Sequence, residues 1–167
     1  MKKFLGTMLL VTACQTLFAQ SIQKDSVQLP PLEVRAIRAS ERAPFAKQNI
    51  SKSDIQKNNV GPDLPFLLNQ TPSVVVQSDA GNGIGYTGIR IRGTDATRIN
   101  VTINGIGYND AESMGTFLVN LPDFASSVSS IQIQRGVGSS SNGPSSFGAS
   151  INLSTHELNE KSYFSTN

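Results

Sequence analysis

The chain has 167 residues, of which 38% are hydrophobic and 14 are glycine, enough for one domain with a packed core and for additional tails. Two of its 14 basic residues, Lys2 and Lys3, stand at the extreme N-terminus, and the remaining 12 (14 − 2) equal the 12 acidic residues in number. This balance excludes the basic surplus that is typical of nucleic-acid-binding proteins. One cysteine and one histidine exclude a disulfide framework and a zinc site built from Cys and His.

The N-terminus has the pattern of an export signal. The two lysines precede an apolar run over residues 4–13, which is too short for a membrane-spanning helix, and the small residue Ala19 follows. We expect cleavage after Ala19, so that residues 1–19 are a signal peptide and Gln20 begins the mature chain. The alternative is a bacterial lipobox, in which a lipidated Cys14 becomes the first residue.

Residues 20–39 are predicted to form a flexible, extended leader. The segment is polar and contains Pro30-Pro31, and proline disfavours both helix and sheet. Residues 32–36 then alternate apolar and polar side chains, which is the period of an extended strand.

Short helices and then strands are predicted beyond the leader. Residues 49–69 read as helical: Ser51 or Ser53 can cap a first helix, and Pro62-Asp63 starts a second, with Pro65 in its first turn. A further short helix is predicted at residues 122–128. The hydrophobic period changes to two from Val74, which predicts five strands, at residues 74–76, 89–92, 101–103, 131–134 and 151–153. Asn104-Gly105 predicts a tight turn, and the whole pattern indicates an α+β fold with glycine-rich loops.

None of the catalytic motifs in the chain is complete. Residues 83–88 match the letters of a dinucleotide-binding loop, but they run into a strand instead of opening a helix. His156 is the single histidine, and no Gly-x-Ser-x-Gly nucleophile motif accompanies it. Asp110 and Glu112 can act as acid and base, can bind a cation, or can be a solvated loop tip. We therefore predict that the protein is not an enzyme and has neither a cofactor nor a metal site.

Three arginines stand in predicted strands or at their ends: Arg90, Arg92 and Arg135. A cation on a half-buried sheet needs a partner. The sequence offers no obvious set of carboxylates beside them, which points to a partner in another chain or segment; the alternative is that they lie on solvent-exposed strand faces.

Five sequence blocks, in a fixed order, resemble the plug domain of TonB-dependent outer-membrane receptors. The first resembles the family's LL…PGV block, with Ser73 where glycine is usual. The others resemble the family's IRIRG strand, its VLIDGV and IEVLRG blocks, and its closing YGxxAxGGVINIxT block. In this chain the blocks read LLNQTPSV at 67–74, IRIRG at 89–93, VTINGI at 101–106, IQIQRG at 131–136 and SSFGASINLST at 145–155.

This resemblance implies a small α+β domain over residues 40–157, with a mixed four-stranded sheet, short helices and glycine-rich loops. Such a plug fills an outer-membrane β-barrel of about 22 strands. It gates the TonB-energised uptake of a siderophore, haem, cobalamin or glycan ligand, with its leader on the periplasmic side of the outer membrane. Residues 158–167 are then the start of the barrel region, and we expect the chain to be a fragment. The alternative is a stand-alone secreted or periplasmic ligand-binding module.

The resemblance also implies roles for individual residues. The C-terminal domain of TonB grips an extended box, whose best match is Leu32, Glu33, Val34, Arg35 and Ala36. The plug arginines of the family face glutamates of the barrel wall, a role that carries over to Arg92 and Arg135. Ligand-facing candidates come from two glycine-rich loops: Asp79, Tyr86, Tyr108, Asp110 and Glu112.

Overall fold

The computed structural model describes residues 38–138 and 142–155, all within the second of two compact units, Arg35–Asn167. The predicted signal peptide, the box at residues 32–36, His156 and residues 158–167 lie outside the described residues. The strands and helices are β1 (Lys47–Ser51), α1 (Lys52–Asn58), α2 (Leu64–Leu67), β2 (Val74–Ser78), β3 (Thr87–Ile91), β4 (Ile99–Ile103), β5 (Ile106–Gly107), β6 (Ser130–Arg135) and β7 (Ala149–Ser154). Short 3₁₀ helices are Ala96–Arg98, Leu118–Asn120 and Phe124–Ser127.

The strands that the structure describes form two sheets. The larger has the order β1-β6-β7-β4-β5, and its β4–β7 pair is parallel while its other pairs are antiparallel. β2 and β3 form a separate antiparallel pair. The α+β class and the mixed sheet are confirmed, but the expected count of four strands is wrong. The larger sheet has five strands because β1 and β5 join it, and β2 and β3 stay outside it.

One face of the larger sheet carries the hydrophobic core. Because side chains alternate along a strand, the isoleucines of β6 point to the same side as their β7 and β4 neighbours. Ile131 is paired with Leu153, and Ile133 with Ile151, and all four are almost fully buried. The two helices, the 3₁₀ turns and the β2–β3 pair supply the remaining core residues, which include Ile55, Leu64, Leu68, Ile89 and Ile91.

The opposite face of the same sheet is polar and also buried. It carries Asn100 and Thr102 on β4, Gln132 and Gln134 on β6, and Ser150, Asn152 and Ser154 on β7. Gln134 is only 1% exposed. Buried polar groups require hydrogen-bond partners, so this face is held by side-chain hydrogen bonds such as Thr102 Oγ1 to Asn152 Oδ1 at 2.6 Å.

The first predicted helix begins later than expected, because a strand precedes it. The prediction placed helix from residue 49, whereas residues 47–51 form β1, which pairs with β6 along its length. Sheet pairing overrides local propensity here. α1 then begins at the predicted cap: the Ser51 hydroxyl accepts from the Asp54 backbone N–H, and the Ser51 backbone N–H donates to the Asp54 carboxylate. The Ser51 hydroxyl is the main cause that lowers the pKa of Asp54.

The predicted turn after β4 is confirmed. Asn104 and Gly105 have φ angles of 53° and 86° and join β4 to β5, which is the geometry of a two-residue hairpin turn. α2 follows Asp63 with Pro65 in its first turn, also as predicted. The predicted helix at residues 122–128 is a shorter 3₁₀ helix, Phe124–Ser127. Of the helices described, none is long and apolar enough to cross a membrane.

Candidate functional site

The two ends of the larger sheet carry different parts of the chain. The described chain begins at Arg38 and finishes at Thr155, and both residues lie at the end marked by the paired residues Ser130 and Ser154, which we call the leader end. The opposite end, marked by the pair Arg135 and Ala149, carries the connection between β6 and β7, and we call it the loop end.

At the leader end, the chain is clamped where it joins the domain. The Arg38 guanidinium donates to Ser130 Oγ at 3.0 Å, to the Ser130 carbonyl at 2.9 Å and to the Asn152 carbonyl at 3.2 Å. The next residue, Ala39, donates its N–H to Gln132 Oε1 at 2.7 Å and accepts from Gln132 Nε2 at 3.0 Å. The Gln132 amide therefore binds both backbone groups of Ala39, as a neighbouring strand would do.

The departing chain is clamped in the same manner. Thr155 donates its N–H to Asn104 Oδ1 at 2.8 Å, and its hydroxyl accepts from Asn104 Nδ2 at 2.7 Å. The Asn104 backbone N–H also bonds the Leu153 carbonyl at 2.9 Å. Side-chain amides thus hold the domain at both points where the chain enters and leaves the described core.

The predicted barrel-facing arginines both lie at the loop end. Arg92 follows β3 directly, is exposed and has a φ of 54°. Its N–H donates to the carbonyl of Ser73, and its guanidinium lies against Gly136, the residue after Arg135. Ser73 has a φ of 66°, a left-handed conformation that favours glycine and accounts for the glycine usual at this position in the resembling family.

Arg135 is not on a solvent-exposed strand face, which was the alternative that the sequence left open. It is half-buried, and its Nη1 donates to the Pro72 carbonyl at 3.1 Å. Its Nε is buried and has no hydrogen-bond partner among the residues that the structure describes. A buried donor of a charged group without a partner is costly.

The two arginines should differ in their effect on stability. Arg135→Gln should lower the free energy of unfolding by about 1 kcal/mol, because the bond to Pro72 and the packing of the side-chain stem are lost. Arg92→Gln should change it by less than about 0.5 kcal/mol, as at ordinary surface sites. Urea unfolding of the full chain, followed by circular dichroism, measures both. Equal effects of the two variants would contradict the structural difference between these residues.

The loop at residues 108–115 is anchored to the edge of β4 near the loop end. Asn109 accepts from the Val101 N–H at 2.8 Å and donates to the carbonyls of Ile99 and Met114, each at 2.9 Å. Its side chain thus continues the hydrogen bonding of β4 beyond the two residues of β5. The half-buried Tyr108 donates its hydroxyl to the Phe117 carbonyl at 3.1 Å. The loop is therefore held in one conformation despite its glycine.

Two of the predicted ligand-facing carboxylates lie in this loop and differ in environment. Asp110 is exposed, but its carboxylate accepts from both the backbone N–H and the hydroxyl of Ser113, each at 2.7 Å. The backbone bond is the main cause that lowers the pKa of Asp110, so it stays ionised at neutral pH. Glu112 is exposed and presents its carboxylate to solvent. Asp110 thus shapes the loop, and Glu112 is the more accessible of the two for a ligand.

The second predicted ligand loop, residues 79–88, is pinned by a buried aspartate. Asp63 is 6% exposed, and its Oδ2 accepts from the Gly85 N–H at 3.0 Å and the Thr87 hydroxyl at 3.1 Å. The Asp63 N–H donates to the Gly83 carbonyl at 2.8 Å. Between these anchors the loop presents Tyr86, which is 71% exposed, and Asp79 is exposed where the loop begins.

Sequence reasoning missed the residues that position these sites: Asp63, Asn109 and Gln132. Each of these side chains forms hydrogen bonds to residues in another loop or strand. No local sequence motif predicts such hydrogen bonds. Within residues 38–138 and 142–155, no cluster of three or more His, Cys, Asp or Glu side chains could hold a metal ion. The predicted site residues that the structure describes lie on two loops, residues 79–88 and 108–115, and at the loop end of the sheet.

The sequence matches the model of one protein family. A family model described as the TonB-dependent receptor plug domain matches residues 39–150. No curated protein matches the sequence significantly.

Solved structures with a similar fold are outer-membrane receptors. The ferric yersiniabactin uptake receptor FyuA from Yersinia pestis has a TM-score of 0.53 and 16% identity, over 75% of this chain and 20% of that one. The siderophore receptor PirA from Acinetobacter baumannii has a TM-score of 0.55 and 20% identity, over 77% and 19% of the respective chains. The alcaligin receptor FauA from Bordetella pertussis gives 0.53 and 14%, over 72% and 20%. The chain thus spans about a fifth of each receptor, and at these identities the likeness shows the fold.

Proposed function

Because the chain belongs to the TonB-dependent receptor plug domain family, whose members are transport proteins of the outer membrane, we propose that it gates the energised uptake of a small-molecule or glycan ligand at that membrane. The observation that carries the proposal is the match over residues 39–150, which begins at the clamped residue Ala39. Siderophores, haem and cobalamin are the small-molecule candidates.

The barrel partner is proposed to meet the plug through its arginines. Arg92 is exposed, and Arg135 is half-buried with its Nη1 bound to the Pro72 carbonyl. Carboxylates on the inner wall of the barrel would satisfy both, since a carboxylate is the acceptor that a guanidinium binds best. Because two guanidinium groups need carboxylate partners, this proposal calls for an acidic patch on the barrel wall rather than a single acidic residue.

The ligand is proposed to meet the loops at residues 79–88 and 108–115. The second of these lies near the loop end, away from the leader, and so would face the extracellular side if the leader is periplasmic. Tyr86 and Glu112 are the exposed side chains that a ligand would reach first, and Asp79 is exposed at the start of the loop that carries Tyr86. Asp110 and Tyr108 would act by holding the second loop in shape.

TonB is proposed to bind the segment Leu32 to Ala36, which the sequence pattern predicts to be extended; one residue separates it from Arg38. A free extended segment adds to the edge of a partner's sheet through main-chain hydrogen bonds. The clamp supports this arrangement, because tension on the leader would then act on the domain at a defined point rather than along its whole length.

A peptide spanning residues 25–40 tests this proposal. It should bind the periplasmic C-terminal domain of TonB weakly, and Val34→Pro should abolish binding, because proline removes a backbone donor and fixes φ. Val34→Ala is the matched control, since it shortens the same side chain but keeps the donor. Isothermal titration calorimetry measures all three peptides. Equal binding by the proline and wild-type peptides would refute a TonB box at these residues.

A further inference from the structure

We infer that a row of buried side-chain amides couples the leader at Ala39 to the β6–β7 loop at Asn142. The row consists of Gln132, Gln134 and Asn142, which lie on the polar face of the larger sheet and extend from its leader end to its loop end. All three are 3% exposed or less. The coupling is a property of the folded domain, and its meaning for transport rests on the proposed function.

The hydrogen bonds of the row are continuous. Asn142 Nδ2 donates to Gln134 Oε1 at 3.0 Å, and Gln134 Nε2 donates to Gln132 Oε1 at 3.1 Å. Gln132 Nε2 donates to the Ala39 carbonyl at 3.0 Å, and Gln132 Oε1 accepts the Ala39 N–H at 2.7 Å. Asn100 Nδ2 holds the Asn142 carbonyl from the neighbouring β4 strand.

The hydrogen bonds along the row share one direction. Each of the two glutamines accepts with its oxygen from the loop side and donates with its nitrogen towards the leader, so the orientation of one amide dictates that of the next. If Asn142 turned its oxygen towards Gln134, both glutamine amides would have to turn as well. Gln132 would then present a donor to the Ala39 N–H and an acceptor to the Ala39 carbonyl. One polarity of the row therefore closes the clamp on Ala39, and the reverse polarity opens it.

Two features of the loop end fit this role. Asn142 Oδ1, at the end of the row, is buried and has no hydrogen-bond partner among the residues that the structure describes. Gly138 lies against the contact between Asn142 and Gln134, and a β-carbon there would collide with the Asn142 amide and come within 2.8 Å of Gln134 Oε1. The loop thus leaves room for the last bond of the row, and any group that changes the orientation of Asn142 changes the clamp.

The exchange of the Ala39 N–H reports on the clamp from a distance. In the full chain, Gln134→Met and Asn142→Ala should each speed exchange of the Ala39 N–H by about three- to tenfold, the factor for losing a hydrogen bond of ordinary net strength. Neither residue contacts Ala39, so a purely local clamp would not respond. Exchange is measured by NMR relative to the N–H groups of Ser129 and Arg135, whose partners are the carbonyls of Ser154 and Ala46.

The matched control is Asn104→Gly. It removes two side-chain bonds to Thr155 at the same end of the sheet and keeps a residue that tolerates the positive φ of the turn. It should leave Ala39 exchange unchanged. If Gln132→Met speeds Ala39 exchange while Gln134→Met and Asn142→Ala leave it within twofold, the row carries no coupling. That result would leave TonB binding by the leader peptide untouched, so the two proposals fail independently.

Discussion

Gly148→Ala should lower the free energy of unfolding by about 2–3 kcal/mol, the upper range for overpacking a buried site. A β-carbon at Gly148 would lie 2.8 Å from Cβ and 3.0 Å from Cγ2 of Thr94, and closer still to Thr94 Oγ1. Neither the backbone at Gly148 nor the Thr94 side chain can move easily. Gly148 is held by its N–H bond to the Arg98 carbonyl and by its carbonyl, which accepts from the Gly136 N–H, each at 2.7 Å. Thr94 Oγ1 donates to the Ile91 carbonyl at 2.7 Å.

Gly107→Ala is the control for this substitution. Gly107 lies in β5, has no positive φ and has no atom within 4 Å of the site of an added β-carbon. Its variant should unfold within about 0.5 kcal/mol of the wild-type chain. Urea unfolding followed by circular dichroism compares the two. A loss below about 0.5 kcal/mol for Gly148→Ala would show that the strand and Thr94 relax apart, contrary to the fixed contacts in the structure.

Asp63→Ala should cost about 2 kcal/mol, because it removes a buried acceptor from the Gly85 N–H and the Thr87 hydroxyl. Both groups would then lack their partner in a loop with few apolar contacts. We therefore also expect faster hydrogen exchange across residues 83–87 than in the wild-type chain.

Asp79→Ala tests whether the effect of Asp63 depends on burial. Asp79 begins the same loop and is exposed, and its N–H bonds the Tyr86 carbonyl through the backbone alone, so alanine preserves that bond. Its variant should lie within about 0.5 kcal/mol of the wild-type chain. If both variants lose a comparable free energy of unfolding, the negative charge of the two aspartates stabilises the loop, and the two hydrogen bonds of Asp63 do not.

Under the proposed function, the anchored loops would meet the ligand at one end of the domain, and TonB would pull on the clamped leader at the other. The loop at residues 108–115 is held to β4 by Asn109, and the loop at residues 79–88 is held by Asp63. Their exposed side chains are therefore presented in defined positions. At the leader end, Arg38 and Ala39 are held by hydrogen bonds to Ser130 and Gln132, and under the proposed function tension on the leader would reach the domain at these bonds.

The sequence by itself determined the class of fold, the family and most of the strands. The change to a period of two at Val74, the Asn104-Gly105 turn and the Ser51 cap are local signals, and local hydrogen bonding and backbone sterics enforce them wherever they occur. The order of five short blocks was enough to identify the plug domain, because each block combines residues of a strand with a turn or glycine next to it.

Only the tertiary structure decided which polar residues are buried and which strands share a sheet. The alternation in residues 131–134 predicts an apolar and a polar face, but not that the polar face carrying Gln132 and Gln134 is also removed from water. Residues 47–51 form β1 because they pair with β6, and Arg135 is half-buried because its guanidinium donates to the Pro72 carbonyl. Each of these outcomes depends on contacts between residues that are distant in the chain, and the periodicity of a single sequence does not reveal such contacts.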